Sequence, residues 1–408
     1  MPQIHFVDVT NRDGVQTARI NLAKLQKTML NYYLSCLGIY QSEFGFPYLR
    51  TEETYIRANL ELAELGVFGD MRLSGWIRAV PQDVERSLPS GVRHLNLSIS
   101  TSDQMIVNKF KGKLDRESIL GEMAAAVKTA TEGGILTIGV NAEDASRTDL
   151  GYLTEFALAA RAAGAHRIRY CDTLGCDSPD TIYMRLKTLA EAVQLPIEVH
   201  THNDLGLAVA NAVAGAKGAL DGGVDAYVNV TVNGVGERAG NADLLSCILA
   251  LRYANGLRDQ VAIGDELDLT VAWRLARYTA RAFGLPIPIN QPGAGANAFA
   301  HESGIHADGA LKDRQNYELY DCEVIGRVGD LCEPTGRVIT TGEYGGQAGL
   351  QYVYSRLGME INGGAEAQRL LELVQFATMH TQLPLTDDEL LFIARYPEQV
   401  ARLLSLDV

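Results

Sequence analysis

A closed parallel (β/α)8 barrel is the fold that the first 255 residues predict, on three observations. Eight short β-type runs alternate with stretches of helical length. Polar residues gather at the C-terminal end of each run, where a barrel brings its loops to one mouth. The 408-residue chain is 47% apolar and 21% charged, enough to bury one large core and a smaller appendage. A doubly wound open sheet is the other arrangement of such an alternation, and it would spread the same polar residues along an edge.

The β-type runs fall at 4–10, 39–44, 71–77, 94–100, 135–141, 167–171, 197–202 and 226–232. Helical stretches lie between them at 22–37, 51–65, 116–131, 150–163, 178–193 and 207–220, stopped by glycines such as Gly38, Gly66, Gly164 and Gly222. Asp8, Arg12 and Asp13 follow the first run, Glu43 ends the second and Arg78 follows the third. Ser100 ends the fourth, Glu143 and Arg147 follow the fifth, and Asp172 and Thr173 follow the sixth. His200 and His202 end the seventh, and Asn233 follows the eighth.

The net charge of -14 argues against a generally basic face for nucleic acid or anionic membrane. No apolar run reaches the roughly 18 residues of a membrane span, and the first residues do not read as a secretion signal, so a cytoplasmic protein is expected. The six cysteines show no C-x-x-C spacing and are expected to be reduced, with Cys171 beside Asp172 left without a role.

Chemistry enters with His200-Thr-His202. On a strand, residues two apart project from one face, so both imidazoles point into one small volume. A lone histidine is usually a satisfied structural residue; a His-x-His at a strand end, followed by Asn203-Asp204, reads as a metal-ligand pair. With Asp13 it forms a carboxylate and imidazole set able to hold a divalent cation with positions left for substrate. Such a centre suits a 2-oxo acid, with Arg12 neutralising charge on the carbonyl oxygen and Arg147 pairing with a carboxylate. Taken singly, Asp13-Gly14 also reads as a turn and each arginine as a surface ion-pair partner.

After the barrel, the Pro-rich 285–292 reads as a stiff connector. His301-Glu-Ser-Gly-Ile-His306 is a polar segment whose histidines suit acid–base work at the mouth. The glycine-rich 340–349 suggests a small α/β subdomain, and Thr386 with Glu389 forms a capping box for a terminal helix. The expected division is a barrel over 1–280, a linker and small subdomain over 281–360 that completes the active site, and a helical unit over 361–408.

Four segments, Asp8-Val-Thr-Asn-Arg-Asp-Gly-Val-Gln16, His200-Thr-His-Asn-Asp204, Asn233-Gly-Val-Gly-Glu-Arg238 and His301 to His306, resemble the signatures of the DRE-TIM metallolyase family. That family includes isopropylmalate, citramalate, homocitrate and Re-citrate synthases, and the form of the motifs looks most like the Re-citrate or homocitrate branch. The resemblance implies a TIM barrel followed by small subdomains, and an acyltransferase joining acetyl-CoA to a 2-oxo acid with thioester hydrolysis. It implies a divalent metal (Mn, Mg, Zn or Co) on Asp13, His200 and His202, with Asn233 as a further ligand. Arg12, Glu143, His306 and Tyr317 are the implied catalytic residues, the last two reaching across a homodimer interface. Arg12, Gln16, Arg78, Ser100, Arg147 and Thr173 are the implied substrate contacts.

Asn11 and Val15 depart from the family's usual Thr-Leu-Arg-Asp-Gly-Glu-Gln, and Gln104-Met105 from its Ile-His. These departures, with a C-terminus near the point where leucine-regulated relatives add an allosteric domain, favour a dicarboxylate: oxaloacetate or 2-oxoglutarate. The alternatives are an isopropylmalate or citramalate synthase, a 3-hydroxy-3-methylglutaryl-CoA lyase-type retro-aldol enzyme, and a non-catalytic metal-binding barrel. The lyases carry a reactive cysteine in a Gly-rich loop, which has no counterpart here.

Overall fold

A computed structural model describes residues 1–301, 303–327, 341–343 and 345–404. The stretch 340–349 lies only partly within them, and Cys332 lies outside. Eight parallel strands close into a barrel in chain order: β1 (Ile4–Asp8), β2 (Gln41–Gly45), β3 (Arg72–Arg78), β4 (His94–Ser100), β5 (Thr137–Glu143), β6 (Arg167–Asp172), β7 (Ile197–Thr201) and β8 (Ala226–Val230). Closure is made by β1, which pairs with β2 at Val7↔Gln41 and with β8 from Ile4↔Ala226 to Asp8↔Val230. The open sheet is thereby excluded.

The strands alternate, and each face has its own chemistry. Ile4, Phe6, Ile138, Val140, Ile168, Ile197, Val199 and Val228 are fully buried in the apolar layer shared with the helices. Removing such side chains from water contributes roughly 1.5–3 kcal/mol each before chain entropy is counted. The other face is polar. Arg169 on β6 donates to Glu43 on β2 (Nη2 to Oε1, 2.9 Å), and Arg167 donates to Gln41 (2.8 Å). Because β2 and β6 are not neighbours, these bonds cross the interior. Asn96 donates to Glu43 Oε1 (2.7 Å) and Asn229 to Glu198 Oε1 (2.6 Å). The barrel is thus filled by a hydrogen-bonded polar column where branched aliphatic residues are the usual filling.

Helices Lys24–Leu37, Glu53–Glu64, Arg116–Glu132, Leu150–Ala163, Pro179–Val193 and Ala208–Asp221 stand where the spacing predicts them. Gly38 ends the first with φ +88°, and a Cβ there would lie 2.1 Å from the Glu266 carbonyl oxygen. Two short helices, Pro81–Ser87 and Asp103–Lys109, escape the pattern because a single buried flank of two turns leaves no readable period.

After the barrel the described elements are helices and short turns, so the expected small α/β unit carries no strand among the described residues. The capping box is present: Thr386 Oγ1 accepts from Glu389 N (3.1 Å) and Glu389 Oε2 accepts from Thr386 N (2.7 Å). Tyr278 also donates to Glu389 (2.7 Å), tying this terminal region to the helix Ala272–Phe283.

Candidate active site

Asp13, His200 and His202 meet at the C-terminal mouth. The turn after β1 folds back so that the Val9 carbonyl accepts from the amides of Arg12, Asp13 and Gly14 (3.1, 2.8 and 3.1 Å). This places Arg12 and Asp13 over the barrel. From β7, His200 Nε2 lies 3.5 Å and His202 Nε2 3.9 Å from Asp13 Oδ2, and the two nitrogens are 3.2 Å apart. All three residues are buried.

The donor set fits a divalent cation. Metal–ligand bonds of about 2.0–2.2 Å put the ligands of one ion roughly 3–4 Å apart, the spacing seen here. Burial pushes both imidazoles toward the neutral form, His202 with help from His200 and down to about 3. Burial opposes the charge on Asp13, but Arg12 and the histidines outweigh it and hold that carboxyl well below its usual range. Neutral imidazoles beside a firmly ionised carboxylate are metal-ready groups.

The loop after β8 closes over this triad. Asn241 Nδ2 donates to Asp13 Oδ1 (2.9 Å), the Glu237 amide donates to the same oxygen (3.2 Å), and Asn241 Oδ1 is buried without a partner. Gly236 passes so close that a Cβ would lie 2.9 Å from Asp13 Oδ1 and 2.0 Å from Asn241 Nδ2, which requires glycine there. Asn233 is turned elsewhere. It sits at φ 60° and its side chain donates to the Ala276 carbonyl (2.8 Å), which corrects its expected place beside the triad. The asparagine that reaches Asp13 is the one eight residues later, and Glu237-Arg-Ala-Gly-Asn241 was the signal for it.

We therefore expect Asn241→Ala to weaken metal binding by about 10–100-fold in a competitive chelator titration. Asn233→Ala is expected to leave that affinity unchanged and to cost about 1 kcal/mol of stability. The reverse pattern would restore Asn233 to the metal centre.

The triad lines a cavity of about 230 Å³ together with Arg12, Gln16, Trp76, Ser98, Asn141, Glu143, Cys171 and Thr173, among others. Arg12 donates to Asp13 Oδ2 (2.8 Å) and to Glu43 Oε2 (2.7 Å), so its guanidinium is fixed at the cavity edge. With its amide oxygen facing them, Asn141 accepts from Trp76 Nε1 and Arg169 Nη1, both at 3.2 Å. Thr173 Oγ1 accepts from the Asp144 amide (2.9 Å). Burial pushes the Cys171 thiol up to about 12, so it stands in the cavity protonated.

Two expected substrate arginines are engaged elsewhere. Arg78 forks onto Asp83 (2.7 and 2.8 Å), and Arg147 donates to Asp144 Oδ2 (2.7 Å), the latter carboxylate also bound by Ser102. Neither lines the cavity. Glu143 does, and its carboxylate accepts from Ser100 Oγ (2.5 Å) and from Lys109 Nζ (2.8 and 2.6 Å). Lys109 lies on one of the two short helices the pattern hides. Asn11, the departure in the first motif, donates to the Lys27 carbonyl (2.8 Å) and Asn31 (2.9 Å), away from the cavity, so it does not read the substrate. His306 and Tyr317 stack on each other with ring centroids 4.2 Å apart, His306 exposed and Tyr317 40% exposed. They do not line the cavity that the triad lines.

An HMGL-like family model matches residues 3–278, and a homocitrate synthase post-HMGL domain-like model matches residues 294–379. The chain belongs to the HMGL-like family, and it is an enzyme of that family's acyl-transferring, synthase type. It is 54% identical to the citrate (Re)-synthase of Dehalococcoides mccartyi strain CBDB1, over 100% of this chain and 99% of that protein. It is 40% identical to 2-isopropylmalate synthase 2 of Caldanaerobacter subterraneus subsp. tengcongensis, over 96% of this chain and 94% of that one. The Bacillus subtilis HMG-CoA lyase structure superposes with a TM-score of 0.57 at 18% identity, covering 71% of this chain and 97% of that one, a likeness of fold.

Proposed function

We propose that this enzyme condenses acetyl-CoA with a 2-oxo dicarboxylate, oxaloacetate before 2-oxoglutarate, and hydrolyses the thioester to release citrate or homocitrate and CoA. The observation that carries the reading is the shared cavity of Asp13, His200, His202, Arg12 and Glu143. A divalent cation held by Asp13, His200 and His202, with Asn241 beside them, would polarise the 2-oxo carbonyl.

The chain's own groups supply the rest. Arg12, fixed between Asp13 and Glu43, is placed to neutralise the oxygen that becomes negative. Glu143 is the acid–base group facing the acetyl methyl. His306 and Tyr317 are assigned to the thioester side, supplied by the partner in a homodimer from the subdomain over 281–360. That assignment accords with their exposure and with their absence from the cavity lining. The helices from Ala365 to Leu404 are assigned to the C-terminal helical subdomain, docked on the barrel through Tyr278 and Glu389.

The cavity walls favour a dicarboxylate. Ser98, Gln16 and the buried Asn141 present polar groups that a branched alkyl group would leave unpaired, at about 1–3 kcal/mol where the group is buried. Those groups support this substrate class over the 2-oxoisovalerate of an isopropylmalate synthase, the second reading that the 40% identical relative keeps open.

The test is CoA release by the metal-loaded enzyme from acetyl-CoA with oxaloacetate, 2-oxoglutarate, pyruvate or 2-oxoisovalerate, each product identified by mass. Release with a dicarboxylate is expected. Release with 2-oxoisovalerate alone would replace the lead by the second reading, and no release with any acid would reject both.

A further inference from the structure

We infer that Lys109 is a positioning residue for the reaction: it fixes the direction of the Glu143 carboxylate at the cavity. The inference rests on the reading of Glu143 as the acid–base group.

The backbone of Glu143 is set by strand pairing, at Ser100↔Glu143 between β4 and β5 and through the Thr101 amide on the Glu143 carbonyl (2.9 Å). That fixes where the side chain starts, while its rotatable bonds decide where the oxygens end. Oε2 accepts from Ser100 and Lys109, but Oε1 has Lys109 as its one hydrogen-bond partner among the described residues. Removing Lys109 leaves a single bond to one oxygen, around which the carboxylate turns freely. A base that must meet a carbon-bound proton at a defined distance loses rate when its direction is lost, with no loss of substrate affinity.

Lys109 is itself anchored. Its helix Asp103–Lys109 is capped by Ser102, whose Oγ accepts from the Met105 amide (3.2 Å), and is held down by buried Ile106. Arg116 forks onto Asp103 at its first turn, with both bonds at 2.8 Å. Three residues lie between Met105 and this lysine, which is the last of the helix and the one that reaches Glu143.

The ion pair contributes little to folding. The side chains are 51% and 28% exposed, and pairs so open to water add little to stability. A structural role and a positioning role therefore predict opposite results.

The experiment compares wild type, Lys109→Met and Lys109→Arg in CoA release with the 2-oxo acid that supports turnover, alongside metal content and thermal midpoint. For Lys109→Met we expect kcat to fall roughly 10–100-fold, with KM for the 2-oxo acid within about twofold. Metal content and midpoint stay unchanged, and Lys109→Arg, whose fork spans both oxygens, returns kcat to within about threefold of wild type. If Lys109→Met keeps kcat, or lowers it only together with the midpoint and without rescue by arginine, the inference is overturned. A wild type silent with all four acids would instead remove the reading beneath it, and the inference with it.

Discussion

His202→Ala protein emerges from purification without bound metal and turns over roughly 10³-fold more slowly, about 4 kcal/mol of lost barrier stabilisation. The expectation follows from geometry: three ligand atoms 3.2, 3.5 and 3.9 Å apart make one binding volume, and deleting one removes a bond the other two cannot replace. The informative control is His306→Ala. Its imidazole stacks on Tyr317 and has no contact with Asp13, so metal content is expected to match wild type while turnover falls by about 10²–10⁴. Metal by mass spectrometry and CoA release on the same preparations distinguish the two. Loss of metal from both variants would mean that His306 belongs to the metal centre.

Glu43→Gln is expected to lower the unfolding free energy by about 3–5 kcal/mol, the cost of taking a partner from buried charge. Glu43 is fully buried and accepts from Arg12, Arg169 and Asn96, so its loss takes from each guanidinium one of its two carboxylate partners, leaving Arg12 with Asp13 and Arg169 with Glu198. Burial opposes its ionisation, but Arg169 and Arg12 bring its pKa from 4.5 down to about 2. The folded form therefore holds this carboxyl ionised where the unfolded chain takes up a proton. The stabilisation is complete above about 4.5 and is lost as pH falls toward 2. Urea midpoints of wild type and Glu43→Gln should differ widely at pH 7 and converge as the acid is added. A difference that stays constant across that range would show that the carboxylate charge is not what stabilises the barrel. Turnover falls as well, because Arg12 loses the group that orients it.

The barrel was readable because it repeats. Eight strands between helices, most of the helices stopped by a glycine, leave few closed topologies, and His94–Ser100 matches the expected strand residue for residue. The cluster of Asp13, His200 and His202, which could hold a metal ion, was readable because a strand forces His200 and His202 onto one side. What stayed hidden depends on distance in space. Arg78 and Arg147 are the right residue type at the right strand ends, but carboxylates five and three residues away, Asp83 and Asp144, take them first. Lys109 reaches Glu143 from a helix too short to announce itself. Asn233 and Asn241 lie in one loop, and the left-handed turn at Asn233 decides which of them faces the triad.

The polar column inside the barrel has a consequence for how this protein can change. In a barrel filled with aliphatic side chains, the wall and the mouth are separable parts, and loops can be exchanged while the scaffold keeps its shape. Here Glu198 holds Arg169, Arg169 holds Glu43, and Glu43 holds Arg12 at the reaction site. The scaffold is not interchangeable with others of its shape. Grafting these loops onto a different barrel would transfer the ligands without the support that aims them, so new specificities must arise here by substitutions that keep this internal chain of charges whole.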